Sequence, residues 1–398
     1  MDGSPDPRRR QLLYAVGAGT LGGLAGCTDD GDADEEGPAG GGGDEEPLED
    51  DEEQAESDSS TADWPMYRAN PENTGYLPEA SGPEDPEIAW SIDTGGAIYA
   101  SPTVLEGTAY IGNYDQTVYA IDTESGEENW TFDASSNVFS SVAVAGSFAY
   151  VGGFDDAVYA LSTEDGSEAE RFETNGDVGS SPTIDNGTIY VGCDDGIVYA
   201  LGEHEWQAET GAEVVASPAV SDGAVYVGSF DGVFYALDGE TGEEIWTVDG
   251  ADEFEGPAAV SEGTVFVGDR GGGFYALDGE TGEERWQLET GDWTGSGPAT
   301  DGETVYAANL EGAVYALDAE DGSERWQAEI NGEIWSSPTV AGERVFVADR
   351  EGTVYALDAA EGTVQWSLSI GEVVFSSPAV TEDTLYVGST DGNLYALR

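Results

Sequence analysis

From residue 87 to Arg398, apolar and β-branched residues alternate with polar ones in runs of four to six, and turn residues punctuate each run. Residues 217–246 show the pattern. Ser217-Pro218-Ala219-Val220 opens a short strand, Asp222-Gly223 turns the chain, and Ala224 to Gly228 alternates as a second strand. Phe230-Asp231-Gly232 turns it again before a third strand, Val233 to Asp238. Gly239-Glu240-Thr241-Gly242 then leads to a fourth, centred on Trp246. Such runs between Gly and Asp turns predict strands. No segment carries sustained helical periodicity.

The unit recurs. The triplet Tyr-Ala-Leu/Ile begins at Tyr119, Tyr159, Tyr199, Tyr235, Tyr275, Tyr315, Tyr355 and Tyr395, at spacings of 40, 40, 36, 40, 40, 40 and 40. Eight copies of a purely β unit predict an all-β fold, an eight-bladed propeller of four-stranded antiparallel blades. The eighth copy ends at Leu397-Arg398 without a tryptophan strand, and a spare one, Glu87-Ile88-Ala89-Trp90-Ser91-Ile92, stands at the front. The N-terminal strand is therefore expected to complete the last blade and leave no open sheet edge.

Charge narrows the possible partners. The 398 residues hold 83 Asp and Glu against 11 cations, a net charge of −72, and every cation is an arginine. Residues 87–398 carry 60 acids and seven arginines, hence −53. Such a surface repels phosphate, which argues against nucleic acid as a partner. Molar salt shortens the Debye length to ~3 Å and removes most of the self-repulsion, so the composition points to a high-salt habitat. One histidine, His204, and two cysteines, Cys27 and Cys193, leave no His cluster and no disulfide framework. His204 reads as a solvated loop residue and Cys193 as a small, partly buried side chain.

The N-terminus reads as an address. Arg8, Arg9 and Arg10 precede Gln11-Leu12-Leu13 and a weakly apolar run to Gly26. That run is shorter than the ~20 residues a permanent membrane helix needs. The arginines resemble a twin-arginine export signal, and Leu24-Ala25-Gly26-Cys27 resembles a lipobox. Four segments are expected: a signal peptide (1–26), a lipidated Cys27 with an acidic, disordered tether (27–62), a strap (63–86) and the propeller (87–398). The protein would sit on the outer face of the cytoplasmic membrane, held by the lipid on Cys27, with a monomeric ring.

A family resemblance follows from the fourth strand. Ala276-Leu277-Asp278-Gly279-Glu280-Thr281-Gly282-Glu283-Glu284-Arg285-Trp286 resembles the tryptophan-docking motif of PQQ-type eight-bladed propellers, which include quinoprotein alcohol dehydrogenases and BamB-like lipoproteins. It recurs at 120–130, 236–246, 316–326 and 356–366. An indole packs flat only on a small neighbour, here expected to be the Ala, while Asp and Thr bond the turn and Gly takes positive φ. Two copies depart: one has Ser162 and Glu170 for the Asp and Trp, and another is shortened to Gly202-Glu203-His204-Glu205-Trp206. Those junctions are expected to be the weakest. Asp63-Trp64-Pro65-Met66-Tyr67-Arg68 also resembles the family's lead-in.

The resemblance allows two roles, a protein-interaction scaffold and an oxidoreductase using PQQ with calcium. The adjacent cysteine pair of the quinoproteins is missing, and a bare 40-residue period leaves no room for a catalytic layer. The scaffold is therefore the first expectation, with no catalytic residue, cofactor or metal assigned. The quinoprotein and a surface receptor for a small ligand or sugar stand as alternatives.

A candidate surface lies where each blade feeds the next. Counting three residues back from each Ser/Gly-Pro position gives Tyr99, Phe139, Gly179, Val215, Phe254, Gly295, Trp335 and Phe375, with Trp293 just before the sixth. Loops on the same face hold Asp269-Arg270 and Asp349-Arg350. Phe254, Asp269, Arg270, Trp293, Trp335, Asp349 and Arg350 are thus expected to form a partner or ligand patch over blades five to seven. The plainer alternative is that the aromatics pack the channel and each arginine neutralises acids. Asn129 and Asn186 match the N-glycosylation pattern.

Overall fold

A computed structural model describes residues 62–398. The export signal, Cys27 and nearly all of the proposed tether lie outside the described residues. Eight sheets follow one another round a ring. Blade 4 is representative: Ala219–Ser221, Ala224–Gly228, Val233–Asp238 and Glu244–Asp249 pair antiparallel in sequence order. The second strand, Ala-Val-Tyr-Val-Gly, is buried throughout, whereas the fourth alternates between exposed and covered positions. Apolar side chains from facing blades fuse between them, as where Phe234 and Trp246 of blade 4 meet Phe254 and Tyr275 of blade 5.

The ring closes as the spare N-terminal strand predicts. Ile88–Asp93 pairs antiparallel with Asn393–Leu397, and Trp90 lies opposite Ala396. Glu87 and Arg398 exchange backbone hydrogen bonds of 2.8 and 3.0 Å.

Tryptophans stitch neighbouring blades. The indole N–H groups of Trp90, Trp130, Trp206, Trp246, Trp286 and Trp326 donate to Thr123, Thr163, Gly239, Gly279, Ala319 and Ala359 carbonyls, at 2.8–3.1 Å. Each ring lies over a glycine of the next blade's turn. At Gly126, with φ +70°, a Cβ would sit 2.8 Å from the Trp90 ring. The motif's alanine is the cross-strand partner, Ala236 opposite Trp246. The glycine of the following blade, rather than this alanine, is what must stay small. Blade 8 has no such turn, and Trp366 donates instead to Pro83 of the strap at 2.9 Å. Glu170 takes the tryptophan position between blades 2 and 3.

The strap winds inside the ring against the innermost strands. Amides of Val104, Val144, Val220, Val260, Thr300 and Val340 donate to Trp64, Pro65, Pro71, Glu72, Thr74 and Gly75 carbonyls at 2.7–2.8 Å. These inner edges would otherwise present unpaired N–H groups. Buried Arg68 donates to the carbonyls of Pro298 and Pro338, and burial pulls its guanidinium down to about 10. Asn73 Nδ2 reaches Pro218 O at 2.9 Å. One end of the channel is thereby filled.

Candidate functional site

The opposite end of the channel is open. A cavity of about 540 Å³ lies there, lined by residues from all eight blades. Its floor is a chain of hydroxyls. Ser101, Ser141, Ser181, Ser217, Ser337 and Ser377 occupy one equivalent position. The amides of Ser337, Ser377, Ser101, Ser141 and Ser181 each donate to the Oγ of the next serine in line, at 2.8–3.1 Å. Gly297 N starts the chain by donating to Ser337 Oγ at 2.9 Å. Pro257 and Gly297 interrupt the circle. A Cβ at Gly297 would lie 2.6 Å from Pro257 Cγ, so the proline ring fills the glycine's gap. Tyr67 of the strap completes the floor, its hydroxyl 3.2 Å from Ser337 Oγ.

Alternation along the junction segments between strands decides which side chains reach this cavity. At each junction one residue points into the blade interface and the next towards the axis. Ile98, Val138, Val178, Val214, Phe254, Thr294, Ile334 and Val374 are the inward set, all essentially unexposed. The axial set is Tyr99, Phe139, Gly179, Val215, Glu255, Gly295, Trp335 and Phe375.

The two halves of the mouth differ. One is an unbroken aromatic arc. Trp293 meets Trp335 edge-on at 4.6 Å between ring centres, and Trp335 meets Phe375 edge-on at 5.5 Å. Stacked contacts then run Phe375–Tyr99, Tyr99–Phe139 and Phe139–Phe154, at 5.2, 5.6 and 6.0 Å. Tyr114 packs on Tyr99 at 4.9 Å. The other half carries the carboxyls of Asp194 and Glu255. Asp194 lies among Glu213, Asp177 and Asp195. Burial, then these like charges, push its carboxyl up to about 6. Burial also raises Glu255, against the lowering pull of Arg270.

Asp194 therefore has a calculable effect on stability. Its folded value exceeds the ~3.9 of an unfolded Asp, so the folded state binds the extra proton between those values. Stability from this group is gained as pH falls through about 6 and is absent above it. Asp194→Asn is expected to raise the melting temperature at pH 7.5 and to leave it unchanged at pH 3.5. A melt series over pH checks this, and a variant less stable at pH 7.5 would refute it.

Several members of the predicted patch stand elsewhere. Phe254 is not at the mouth. Pro257 stands one place earlier than the proline of other junctions, so counting back from it lands on the inward set, and Glu255 takes the axial place. Asp269 and Asp349 are buried too, 0% and 1% exposed. Each accepts from a Tyr hydroxyl (Tyr275, Tyr355) and a backbone amide (Gly273, Thr353), all at 2.8 Å, and so braces its own loop. Trp293, Trp335, Arg270 and Arg350 do share the mouth. Arg350 bonds Glu333 at 2.8 Å and lies 5.9 Å from the Trp335 and Phe375 ring centres. Arg270 bonds Glu253 at 2.6 Å, approaches Glu255 at 3.5 Å and sits 6.0 Å from the Phe230 ring centre. Asn129 and Asn186 are exposed, and Asn186 lies in a turn at φ +45°. Cys193 is buried, which lifts its thiol to about 12.

Sequence reasoning missed Glu255, Asp194, Phe154, Phe230 and Tyr67. Counting from the Ala or Thr that opens each inner strand (219, 259, 299, 339 and 379), which keeps a strict 40-residue step from blade 4 onward, would have placed Glu255. Nothing in the sequence places Tyr67 under the serines.

The profile of the family described as outer membrane protein assembly factor BamB matches residues 80–142, 136–205, 155–292 and 290–398, which is most of the chain. The chain belongs to this family. BamB from Moraxella catarrhalis superposes with a TM-score of 0.69 at 20% identity, over 79% of this chain and 99% of that one. Quinohemoprotein alcohol dehydrogenase from Comamonas testosteroni gives 0.70 at 17% identity, over 84% and 80%. A computationally designed protein, Ika8, gives 0.68 at 17%, over 76% and 96%. These likenesses fix the fold, which hosts an assembly factor, an enzyme and a designed ring alike. No curated protein matches the chain.

Proposed function

We propose that this member of the BamB family is a non-catalytic, lipid-anchored scaffold that engages a partner protein in high salt through the mouth of its ring. The observation that carries this reading is the aromatic arc left uncovered on one face. Tyr114 and Phe139 are each 40% exposed and continue the rings that line the cavity. Exposed, contiguous apolar surface on a soluble ring marks an interaction site, and aromatic and Arg residues are the usual anchors of protein interfaces. The strap occupies the other end, so only one face is free to work. BamB is described as an assembly factor, and only its scaffold character is carried over.

PQQ does not fit the residues present. It is a rigid tricarboxylate. The walls offer it Asp194 and Glu255, and the arginine beside them, Arg270, already pairs with Glu253 and Glu255. Among the described residues, no group of three His, Cys, Asp or Glu is placed to hold calcium.

The test is cross-linking in the native envelope. Trp335→Ala with Arg350→Ala is expected to reduce partner capture at least tenfold, as for paired hot-spot residues worth ~2 kcal/mol or more, while the melting curve stays cooperative. Capture unchanged by the pair would refute the interaction face. In the same cells Cys27→Ser should move the protein from the membrane to the soluble fraction, and retention on the membrane would refute the anchor.

A further inference from the structure

We infer that the mouth receives a cationic side chain, arginine or lysine, projected by the partner and seated between the Asp194–Glu255 wall and the aromatic arc. This rests on the scaffold reading above and names the chemistry of what the scaffold holds.

Three observations lead to it. The carboxyls of the acidic half are short of cations: Asp194 has none and Glu255 has a share of one. Asp194 Oδ1 is buried without a hydrogen-bond partner, and the charges that act on this carboxyl, Glu213, Asp177 and Asp195, are all negative. Glu255 shares its one arginine, Arg270, with Glu253. An arriving cation would relieve this field, through charge-assisted hydrogen bonds roughly twice as strong as neutral ones.

The facing half is built to accept a cation. One of the ring's own arginines demonstrates the geometry, with Arg350 5.9 Å from the ring centres of both Trp335 and Phe375. A guanidinium or ammonium on such faces gains ~0.5–2 kcal/mol, more as water is removed. Beneath lie serine oxygens that can accept further N–H groups.

The alternatives fare worse. An anion would meet Asp194 and Glu255 with no free counter-charge. A neutral sugar could use the rings and hydroxyls but would leave the carboxyl repulsion in place. A buried pair is also screened far less than a surface pair, so recognition of this kind survives molar salt where rim charges do not.

The experiment is saturation-transfer NMR on the full chain in molar KCl at pH 7.5. The probes are acetyl-Gly-Arg-Gly-amide, its citrulline and Glu counterparts, and maltose. Saturable transfer to the arginine methylenes is expected, with citrulline at least tenfold weaker and no binding of the Glu peptide. Asp194→Asn with Glu255→Gln should weaken the arginine peptide at least tenfold without lowering the melting temperature, because it removes like charges. Binding should also decline as pH falls through 6 and Asp194 takes up its proton. Equal binding of citrulline, saturation by maltose instead, failure of the arginine peptide to bind, or indifference to the double variant would each overturn the inference. The envelope assay separates the two readings. If Trp335→Ala/Arg350→Ala loses the partner while Asp194→Asn/Glu255→Gln keeps it, the face stands and the cationic occupant falls. If both variants keep it, both readings fall.

Discussion

Trp90→Ala should cost the ring about 3–5 kcal/mol, the usual range for emptying a large aromatic site, and more than the same change at Trp326. Both indoles donate to the next blade's turn, at 3.0 and 2.8 Å. They differ in what holds their strand. Trp326 lies on Glu324–Glu329, which follows the third strand of its own blade through a tight turn. Trp90 lies on Ile88–Asp93, whose partner Asn393–Leu397 is at the far end of the chain. Loss of the indole at the seam thus removes a dock and loosens a strand whose ladder partner lies at the far end of the chain. Chemical denaturation of both variants in molar KCl measures the difference. If Trp90→Ala is no more harmful than Trp326→Ala, the seam depends on its indole no more than an internal junction does.

Transfer from molar to 0.1 M KCl should lower the melting temperature on the order of 10 °C or more. The 60 acids and seven arginines of residues 87–398 leave 53 net negative charges on one ring. The arginines are already committed: Arg285 and Arg325 pair with Asp278 and Asp318 at 2.8 Å, Arg171 with Asp155, and Arg344 reaches Glu84. At 0.1 M the Debye length is ~10 Å, long enough for neighbouring acids to repel. Each kcal/mol so lost shifts the midpoint by roughly 1.5 °C in a domain of this size, at ~2.1 cal/mol/K of unfolding entropy per residue. Sucrose favours burial without screening charge. If it restores the midpoint as well as KCl does, self-repulsion is not the cause.

Much of this architecture was legible because it rests on local rules. Gly/Asp turns, β-branched strands and a tryptophan every 40 residues count the blades, and the orphan strand around Trp90 gives the seam. The site was less legible. Whether a junction residue faces the axis or the interface depends on one step of register, and a single displaced proline, Pro257, exchanged Phe254 for Glu255. The buried state of Asp269 and Asp349 depends on a tyrosine six residues on, which no surface pattern announces. Asp194 looked like one turn acid among many, and only the ring's curvature brings Glu213 and Asp177 to it. Tyr67 entered the site through the path of the strap, which sequence periodicity does not describe.

That path constrains the order of assembly. Residues 64–83 bond inner strands from Val104 to Val340, meet Glu382 in the last blade and take the Trp366 indole. These residues precede every complete blade in the sequence, yet their contacts are complete only when the last blade has formed. A ring lacking its last blade would leave Ser81 and Gly82, at the end of this plug, without the Glu382 carbonyl they bond.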